Sequence, residues 1–496
     1  MARSKVKALI ALAIAPFLFL LTGCVPDIVR KEANTTVPQV YAGFTVDSTA
    51  ANSTNSPLLS TAPDSTNTAM INWHSFYNDT VLTALIDSAM HRNQELNIVL
   101  QEIRIAQQEI QTRQGEFLPD VNVTAGAGLD KVGTYSRNGA VEEHLVAGEG
   151  TKFPDPLSDF GVGAEVSWEV DIWKKLRNAT EAARLRYLST VEGTNYVVTN
   201  LVAEIADNYY ELLALDNLLT ALTSMIDVQV QALSMVQQQK EAARTNELAV
   251  LRFEAEVLKN KSRRYKILQR ITEAENRINF LCGRYPQHIE RNSTTFLTMD
   301  TDSVRKGVPS QLLANRPDVR AAELALKAAD LDVDVARARF YPTLKITAGA
   351  GYQAFNTSFL FSTPESMIYN MVGDLMLPVI NRKAISAAYV TANAKQIQAA
   401  YNYERTLLTS YTEAVNQIAK MNNMENAFLL KQQQVAALME SVDVSGKLFT
   451  NARADYMEVL LTQRDALEAR MELIETKIQQ MHARVRLYQT LGGGWR

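Results

Sequence analysis

The chain has 496 residues, of which 47% are hydrophobic and 21% are charged, and its formal net charge is -4 at pH 7. A chain of this length can bury a large core. Its slight acidity argues against a nucleic-acid-binding protein, which normally carries a basic patch. Its two cysteines, Cys24 and Cys282, are too few for a disulfide framework or a thiolate metal cluster.

The N-terminal segment has the pattern of a targeting signal. Three basic residues precede an apolar run from 8 to 21, which is shorter than the roughly 20 residues of a membrane-spanning helix. The run ends in Leu-Thr-Gly-Cys, which is similar to a bacterial lipobox. We therefore predict a signal peptide at 1–23 and a lipid on Cys24, in preference to an ordinary leader with a chance cysteine. Nothing after the leader is expected to cross a membrane as a helix.

The mature chain is predicted to divide into a tether and two similar halves. Residues 24–70 are rich in Ser, Thr, Asn, Ala and Pro, which favours an extended tether. The body then comprises a first repeat at 71–292, a linker at 293–314 and a second repeat at 315–496.

The duplication is visible at two offsets. A shift of 209 places Trp168 on Leu377 and Gly283 on Gly492, while a shift of 223 places Phe-Leu-Pro at 117–119 on Phe-Tyr-Pro at 340–342. Two offsets indicate one repeated unit, with a longer loop in the first copy.

Each repeat is predicted to contain a helix, two strands and two long helices. Helix is expected where apolar residues recur at helical spacing or where Gly and Pro are absent, and strand where apolar and small polar residues alternate. In the first copy the predicted elements are a helix from Leu82 to about Glu116, strands at 121–130 and 160–169, and helices at about 174–243 and up to Leu281. In the second copy they are a helix at about 317–339, strands at 343–352 and 368–377, and helices at about 383–448 and up to Leu491.

The four predicted strands admit two interpretations. They could form soluble hairpins with one buried face, or membrane strands, whose usual length of about 9–11 residues they match. Four strands cannot close a barrel, because bacterial barrels begin at about eight strands, and open edges are not tolerated in lipid. If the strands are membranous, several chains must share one barrel, and three chains would supply twelve strands.

Strand pair and long helical hairpin, occurring twice behind a lipobox, resemble the TolC family of outer-membrane channel proteins, in particular the lipoprotein branch typified by OprM, CusC and the NodT-type proteins. The most specific motif is Arg-Pro-Asp-Val-Arg-Ala-Ala-Glu at 316–323. Further matching residues are Asn72-Trp73, Phe76, Leu82, Leu85, Ile86, Trp168 to Ile172, Phe340-Tyr341-Pro342 and Asp455 to Leu460.

This resemblance implies an α+β membrane protein: a homotrimer with a twelve-stranded outer-membrane β-barrel that continues into a coiled-coil α-helical periplasmic tunnel. Its partners would be a periplasmic adaptor and an inner-membrane transporter, and it would conduct drugs, toxic compounds or metal ions passively to the exterior. A duct for type I protein secretion and a periplasmic scaffold lipoprotein that spans no membrane remain as alternatives.

The resemblance also places candidate site residues at the two hairpin turns. Glu458, with Arg453 and Asp455 beside it, would belong to the periplasmic gate. Three symmetry-related copies of Glu458 near one axis would repel each other unless a cation or Arg453 relieved the repulsion. The alternative is that these are solvated charges. Residues at the tips that would contact the adaptor are Ala243, Arg244 and Ala452, with alanine where the family usually has glycine.

No catalytic constellation is apparent, and an enzyme is not expected. The five histidines are scattered and lack metal-ligand spacing, so neither a metal site nor a cofactor is predicted apart from the lipid. Asp171 and Asp374 could line a water-filled interior. The paired Gly-Ala-Gly segments at 126–128 and 349–351 are expected to allow close strand packing.

Overall fold

A computed structural model describes most of the chain, in two compact units. The described residues are 25–38, 41, 68–146, 154–299, 309–378, 382–451 and 453–496. We call the two units the strand unit, drawn from 1–32, 104–188 and 324–401, and the helical unit, drawn from 33–103, 189–323 and 402–496. The predicted signal peptide and Cys24 lie outside the described residues.

The elements follow the predicted order in both repeats. The first repeat contains α1 (Trp73–Phe76), α2 (Thr80–Arg92), α3 (Gln94–Phe117), β1 (Asp120–Asp130), α4 (Arg137–Glu142), β2 (Leu157–Val170), α5 (Lys175–Glu241) and α6 (Glu247–Leu281). The short α7 (Gln311–Asn315) begins in the predicted linker, and the second repeat continues with α8 (Pro317–Ala338), β3 (Thr343–Ala354), β4 (Met367–Met376), α9 (Arg382–Thr450) and α10 (Tyr456–Thr490). The short helices α1, α4 and α7 were not predicted.

The single helix predicted from Leu82 to Glu116 is wrong, because Asn93 divides it into α2 and α3. The backbone of Asn93 is extended (φ -64°, ψ 126°), and its side-chain oxygen accepts a hydrogen bond from the N–H of Leu96 at 2.8 Å. Its amide nitrogen donates to the carbonyl oxygen of Leu281 at 2.9 Å. The side chain thus caps one helix and holds the end of α6.

The helical unit contains one type of contact twice, and the residues of its two copies are related by the two sequence offsets. Gly283 and Gly492 follow the last helix of each repeat with φ of 65° and 94°. A Cβ on Gly283 would lie 2.2 Å from the carbonyl oxygen of Arg92, and one on Gly492 would lie 2.6 Å from that of Asn315. The shifts of 209 and 223 relate these pairs, so the duplication is a property of the packing.

We expect Gly283→Ala to destabilise the helical unit. Left-handed backbone costs an L-residue about 1–2 kcal/mol, and crowding of a packed backbone about 1–3 kcal/mol, so the combined loss is roughly 2–5 kcal/mol. Thermal unfolding of the detergent-extracted protein, followed by circular dichroism, would measure it. The control is Gly446→Ala in α9, where a Cβ meets nothing within 4 Å and alanine favours the helix. Equal midpoints for the two variants would contradict the prediction.

The Arg-Pro-Asp-Val-Arg-Ala-Ala-Glu motif at 316–323 has a structural role in the helical unit. Arg316 is buried and its guanidinium hydrogen-bonds both carboxylate oxygens of Asp318, at 3.0 and 2.7 Å. It also donates to Glu413 at 2.9 Å and to the carbonyl oxygen of Thr490 at 3.2 Å. Burial opposes the charge, but the hydrogen bonds and charges of the two acids outweigh it and raise the pKa of Arg316. The last contact repeats the one that Asn93 makes with Leu281.

The core of the helical unit contains residues of α1, α2, α5, α6 and α10 in one cluster. One described helix, α5, contains a stretch that is long and apolar enough by composition to cross a membrane, which the sequence analysis did not anticipate. The same helix places Ile205, Leu212 and Leu213 in the core with no exposed surface. Its apolar character therefore follows at least in part from packing against other helices.

The strand unit contains one antiparallel sheet in the order β1-β2-β3-β4. The first and second repeats meet at its centre, where β2 pairs with β3 and Ala164 lies opposite Ala350. In the described residues neither β1 nor β4 has a strand on its outer side, so the sheet ends in two unpaired edges.

Within the predicted tether, residues 25–38 contain no helix or strand, and several of them contact helices. In the strand unit, Val25 and Ile28 pack against Phe340 and Tyr389. The backbone of Lys31 exchanges two hydrogen bonds with the side chain of Gln396, at 3.1 and 2.8 Å. The chain immediately after Cys24 is therefore docked.

Candidate functional site

The sheet has one apolar face that the described protein leaves uncovered. Cross-strand partners on this face are apolar in all three strand pairs, as in Val123 with Ala164, Ala164 with Ala350, and Ala350 with Tyr369. On the outer strands the exposure is high, at 78% for Val123 and 79% for Tyr369. A contiguous exposed apolar surface marks a contact with lipid or another protein.

The opposite face carries the polar side chains of the strands, and it lines a cavity of about 790 Å³. The residues of this face that line it include Thr124, Asp159, Glu165, Gln353 and Asn370. Glycines bring the central strands together: a Cβ on Gly351 would lie 2.4 Å from the carbonyl oxygen of Val162. Close strand packing, as predicted for the Gly-Ala-Gly segments, is confirmed at Gly351, whereas a Cβ on Gly349 would meet the side chain of Asn370 and come no closer than 3.7 Å to backbone. Close packing does not occur at Gly126, where a Cβ would meet nothing within 4 Å because β1 is an edge strand.

The two aspartates suggested for a water-filled interior have different roles. Asp374 lies opposite Lys345 in the sheet register, on the polar face, and its role in a water-filled interior stays a prediction. Asp171 is buried and accepts hydrogen bonds from the backbone N–H groups of Leu176 and Arg177, each at 3.1 Å. The suggestion that Asp171 lines an interior is therefore wrong, because its carboxylate caps the first turn of α5.

In the helical unit, the turns of the two long hairpins pack against each other. An apolar cluster joins Val236 and Phe253 of the first hairpin to Phe449 and Val459 of the second. Phe253 has no exposed surface. Sequence reasoning missed this cluster, since these residues occur within long helices rich in other apolar residues. The cluster places the four helix ends that carry the candidate tip residues side by side.

The same turn closes both hairpins. The backbone N–H of Arg244 donates to the carbonyl oxygen of Gln239, and that of Arg453 donates to Leu448, each at 2.8 Å. Ala243 has φ 55°, a left-handed conformation that glycine adopts without strain. Ala243 and Arg244 are exposed, whereas Ala452 lies outside the described residues.

The three candidate gate residues lie at the start of α10. Asp455 immediately precedes the helix and Glu458 lies in its first turn, and both are exposed, as is Arg453. None of the ion pairs described in the two hairpins joins Arg453 to Glu458. Within the described chain the carboxylate of Glu458 is therefore available to solvent or to a second molecule.

Among the residues that the structure describes, no cluster of three or more His, Cys, Asp and Glu side chains has the geometry of a metal site. The described Cys282 is buried and its thiol donates to the carbonyl oxygen of Leu85 at 3.4 Å, and burial raises its pKa. These contacts give it a packing role.

Comparison with known proteins identifies this architecture. Residues 85–284 and 308–493 match the family described as outer membrane efflux protein. The cation efflux system protein CusC of Escherichia coli O6:H1 is 26% identical over 85% of this chain and 88% of CusC. The probable outer membrane lipoprotein SilC of Salmonella typhimurium is 24% identical over 96% of this chain and 97% of SilC.

Among solved structures, the open state of the MtrE outer membrane channel of Neisseria gonorrhoeae superposes with a TM-score of 0.79 and 20% identity. The superposition covers 95% of this chain and 99% of MtrE, and shows that the fold is shared. The chain belongs to the outer membrane efflux protein family. It is an efflux protein of the outer membrane, and the scaffold alternative is excluded.

Proposed function

We propose that three copies of this chain share one twelve-stranded barrel in the outer membrane and that their long helices form a periplasmic tunnel. The observation that carries this proposal is the sheet: an exposed apolar face and, in the described residues, two unpaired edges. In lipid such edges require partner strands, and four strands are too few to close a barrel. Neighbouring copies supply the missing partners, β4 of one chain beside β1 of the next.

The channel conducts small molecules passively, and a partner pump supplies the energy. The polar faces of the strands line the conduit, and the hairpin turns receive a periplasmic adaptor that connects to an inner-membrane transporter. The relatives are named for cation efflux, solvent efflux and pyoverdine export. Those names support small solutes such as drugs, toxic compounds or metal ions over protein secretion.

The candidate residues take defined roles in this proposal. Cys24 carries the lipid, as the name of the lipoprotein SilC supports, and the docked segment after it keeps the anchor close to the strand unit. Ala243, Arg244 and Ala452 belong to the surface that contacts the adaptor. Glu458, with Arg453 and Asp455 beside it, forms an acidic ring around the closed opening.

Planar-bilayer recording on the detergent-extracted protein, with its oligomeric mass measured in parallel, tests the proposal. We expect a trimer with small, mostly closed, cation-preferring conductance. A monomer or dimer that never conducts would exclude the shared barrel.

The same recording tests the acidic ring. Glu458→Ala removes three carboxylates per channel, each worth about 0.5–1 kcal/mol of attraction for a cation, so block by divalent cations is expected to weaken roughly 10- to 150-fold. Asp465→Ala is the control, because Asp465 is an exposed acid of the same helix that is paired with Arg464 at 3.0 Å. Unchanged block and open probability in Glu458→Ala would exclude the gating role.

A further inference from the structure

The strand unit has one end at which every strand joins a helix. The register places Asp120 opposite Ser167 and Thr343 opposite Met376, so the starts of β1 and β3 and the ends of β2 and β4 lie together there. The adjoining helices are α3, α5, α8 and α9, and we call this the helix-side end of the sheet. In the proposed channel it is the level at which the barrel leaves the membrane towards the periplasm.

An exposed aromatic residue lies at the helix-side end, between β2 and α5. The ring of Trp173 stacks on that of Tyr341 with centroids 4.8 Å apart, and its Nε1 donates to the carbonyl oxygen of Pro342 at 2.7 Å. Trp173 nevertheless keeps 42% of its surface exposed, and the preceding Ile172 keeps 50%. Two contacts thus fix a large apolar ring at the surface. Aromatic side chains of this kind are enriched where a barrel passes the membrane–water interface.

The next residue, Lys174, is an exposed cation in a strained conformation. Its φ is 58°, a left-handed backbone that glycine adopts freely and an L-residue only at a cost. The acids closest to it in the chain have other partners, since Glu169 binds Lys175 and Asp171 caps α5 and binds Arg177. Within the described residues no ion pair includes Lys174, so its charge is left for a second molecule.

The second repeat also carries cations at the helix-side end. The shift of 209 places Trp173 and Lys174 on Arg382 and Lys383, in the first turn of α9. Lys383 is exposed, and so is Arg339, which follows α8 directly. Exposed positive charge therefore occurs at three of the four junctions between strand and helix. Basic residues at a membrane surface attract anionic lipids.

The docked N-terminal segment brings the lipid anchor to the same end. Val25 packs against the cluster that contains Phe340, and Phe340 directly precedes Tyr341, on which Trp173 stacks. Cys24, which is proposed to carry the lipid, is the residue before Val25. The acyl chains of the anchor therefore enter the bilayer near the helix-side end, and the headgroups of neighbouring phospholipids lie at this level.

We propose that Ile172, Trp173 and Lys174 bind one anionic phospholipid per chain, in the leaflet that faces the periplasm. The ammonium group of Lys174 binds the phosphate, and the two apolar side chains lie against the glycerol and the upper part of the acyl chains. The occupant is a lipid rather than a free phosphate, because these apolar side chains follow directly on Trp168 and Val170 of the apolar sheet face. This inference rests on the proposed barrel and gives its periplasmic rim a lipid partner.

Native mass spectrometry of the detergent-extracted trimer tests the site, with phosphatidylglycerol as the anionic lipid and phosphatidylcholine as the zwitterionic one. A single basic residue at an anionic surface contributes a factor of roughly five to binding. Phosphatidylglycerol should therefore bind Lys174→Gln roughly fivefold more weakly than wild type, while phosphatidylcholine binds both equally. The control is Lys447→Gln, an exposed cation near the hairpin turn of α9, which should bind phosphatidylglycerol as wild type does.

A second variant, Lys174→Gly, separates binding from folding. Glycine removes the charge together with the strain of the left-handed backbone, so the unfolding midpoint should not fall, although phosphatidylglycerol binding should weaken as in Lys174→Gln. Equal binding of phosphatidylglycerol to wild type and both variants would overturn the site. Equal weakening in Lys447→Gln would overturn it as well, because the attraction would then belong to the whole surface.

Ile172→Ser distinguishes a lipid from a free phosphate. Loss of the exposed apolar side chain should weaken phosphatidylglycerol binding about threefold, and inorganic phosphate should not displace the lipid. Unchanged binding in this variant, or displacement by inorganic phosphate, would show a phosphate site only. A conducting trimer that does not prefer phosphatidylglycerol to phosphatidylcholine would overturn this inference and leave the channel proposal standing. A monomer that never conducts would remove both.

Discussion

Gly351→Val is expected to abolish the folded channel in the outer membrane, because β2 leaves no space for a side chain at this position. A Cβ there would lie 2.4 Å from the carbonyl oxygen of Val162 and 2.7 Å from the Cα of Gly163, its direct partner in the register. Both atoms belong to backbone, so no rotamer change relieves the clash. Overpacking costs about 1–3 kcal/mol per site, or roughly 3–9 kcal/mol for three chains.

The measurement is the amount of trimer in the outer-membrane fraction, compared with Gly373→Val. Gly373 lies in the neighbouring strand β4, where a Cβ meets nothing within 4 Å. Its partner in the register is Ile346, which places it on the apolar face, and valine is favoured in strands. Wild-type levels of trimer for Gly351→Val, or equal loss for both variants, would show that the close approach of β2 and β3 is not needed.

The second large effect is expected for Arg316→Ala in the helical unit. The substitution removes a buried cation that holds Asp318, Glu413 and the carbonyl oxygen of Thr490. Removing one partner of a buried ion pair typically costs about 3–5 kcal/mol, because the remaining charges lose their compensation. The unfolding midpoint of the detergent-extracted protein should fall accordingly, and Arg316→Lys should restore only part of the loss because lysine cannot make the two-pronged contact.

The first repeat provides a matched control, Asn93→Ala. Asn93 makes the counterpart contact to Leu281 without a charge, so its loss should cost about 1–3 kcal/mol. If Asn93→Ala and Arg316→Ala lowered the midpoint equally, the acidic partners of Arg316 would be irrelevant to stability. The hydrogen bond to the helix end, which both repeats share, would then account for the loss of stability in both variants.

Much of the fold could be predicted because its signals are local and periodic. The absence of Gly and Pro between Thr194 and Cys282, together with the polar break at 244–246, predicted two long helices, and the predicted bounds of about 174–243 and up to Leu281 lie within a few residues of those observed for α5 and α6. Alternation predicted all four strands, and two offsets predicted the repeat. The break at Asn93 was missed although its cap to Leu96 is local; its second contact, to the carbonyl oxygen of Leu281, lies 188 residues away in the sequence.

The sequence by itself determined the architecture of each repeat, the polar and apolar strand faces and the positions of the hairpin turns, since periodicity and helix breakers act on neighbouring residues. Only the tertiary structure decided the structural role of each polar residue. It placed Asp171 as a helix cap and joined the hairpin turns through Phe253 and Phe449. These outcomes depend on contacts between elements that are distant in the sequence, and those contacts are set by tertiary packing.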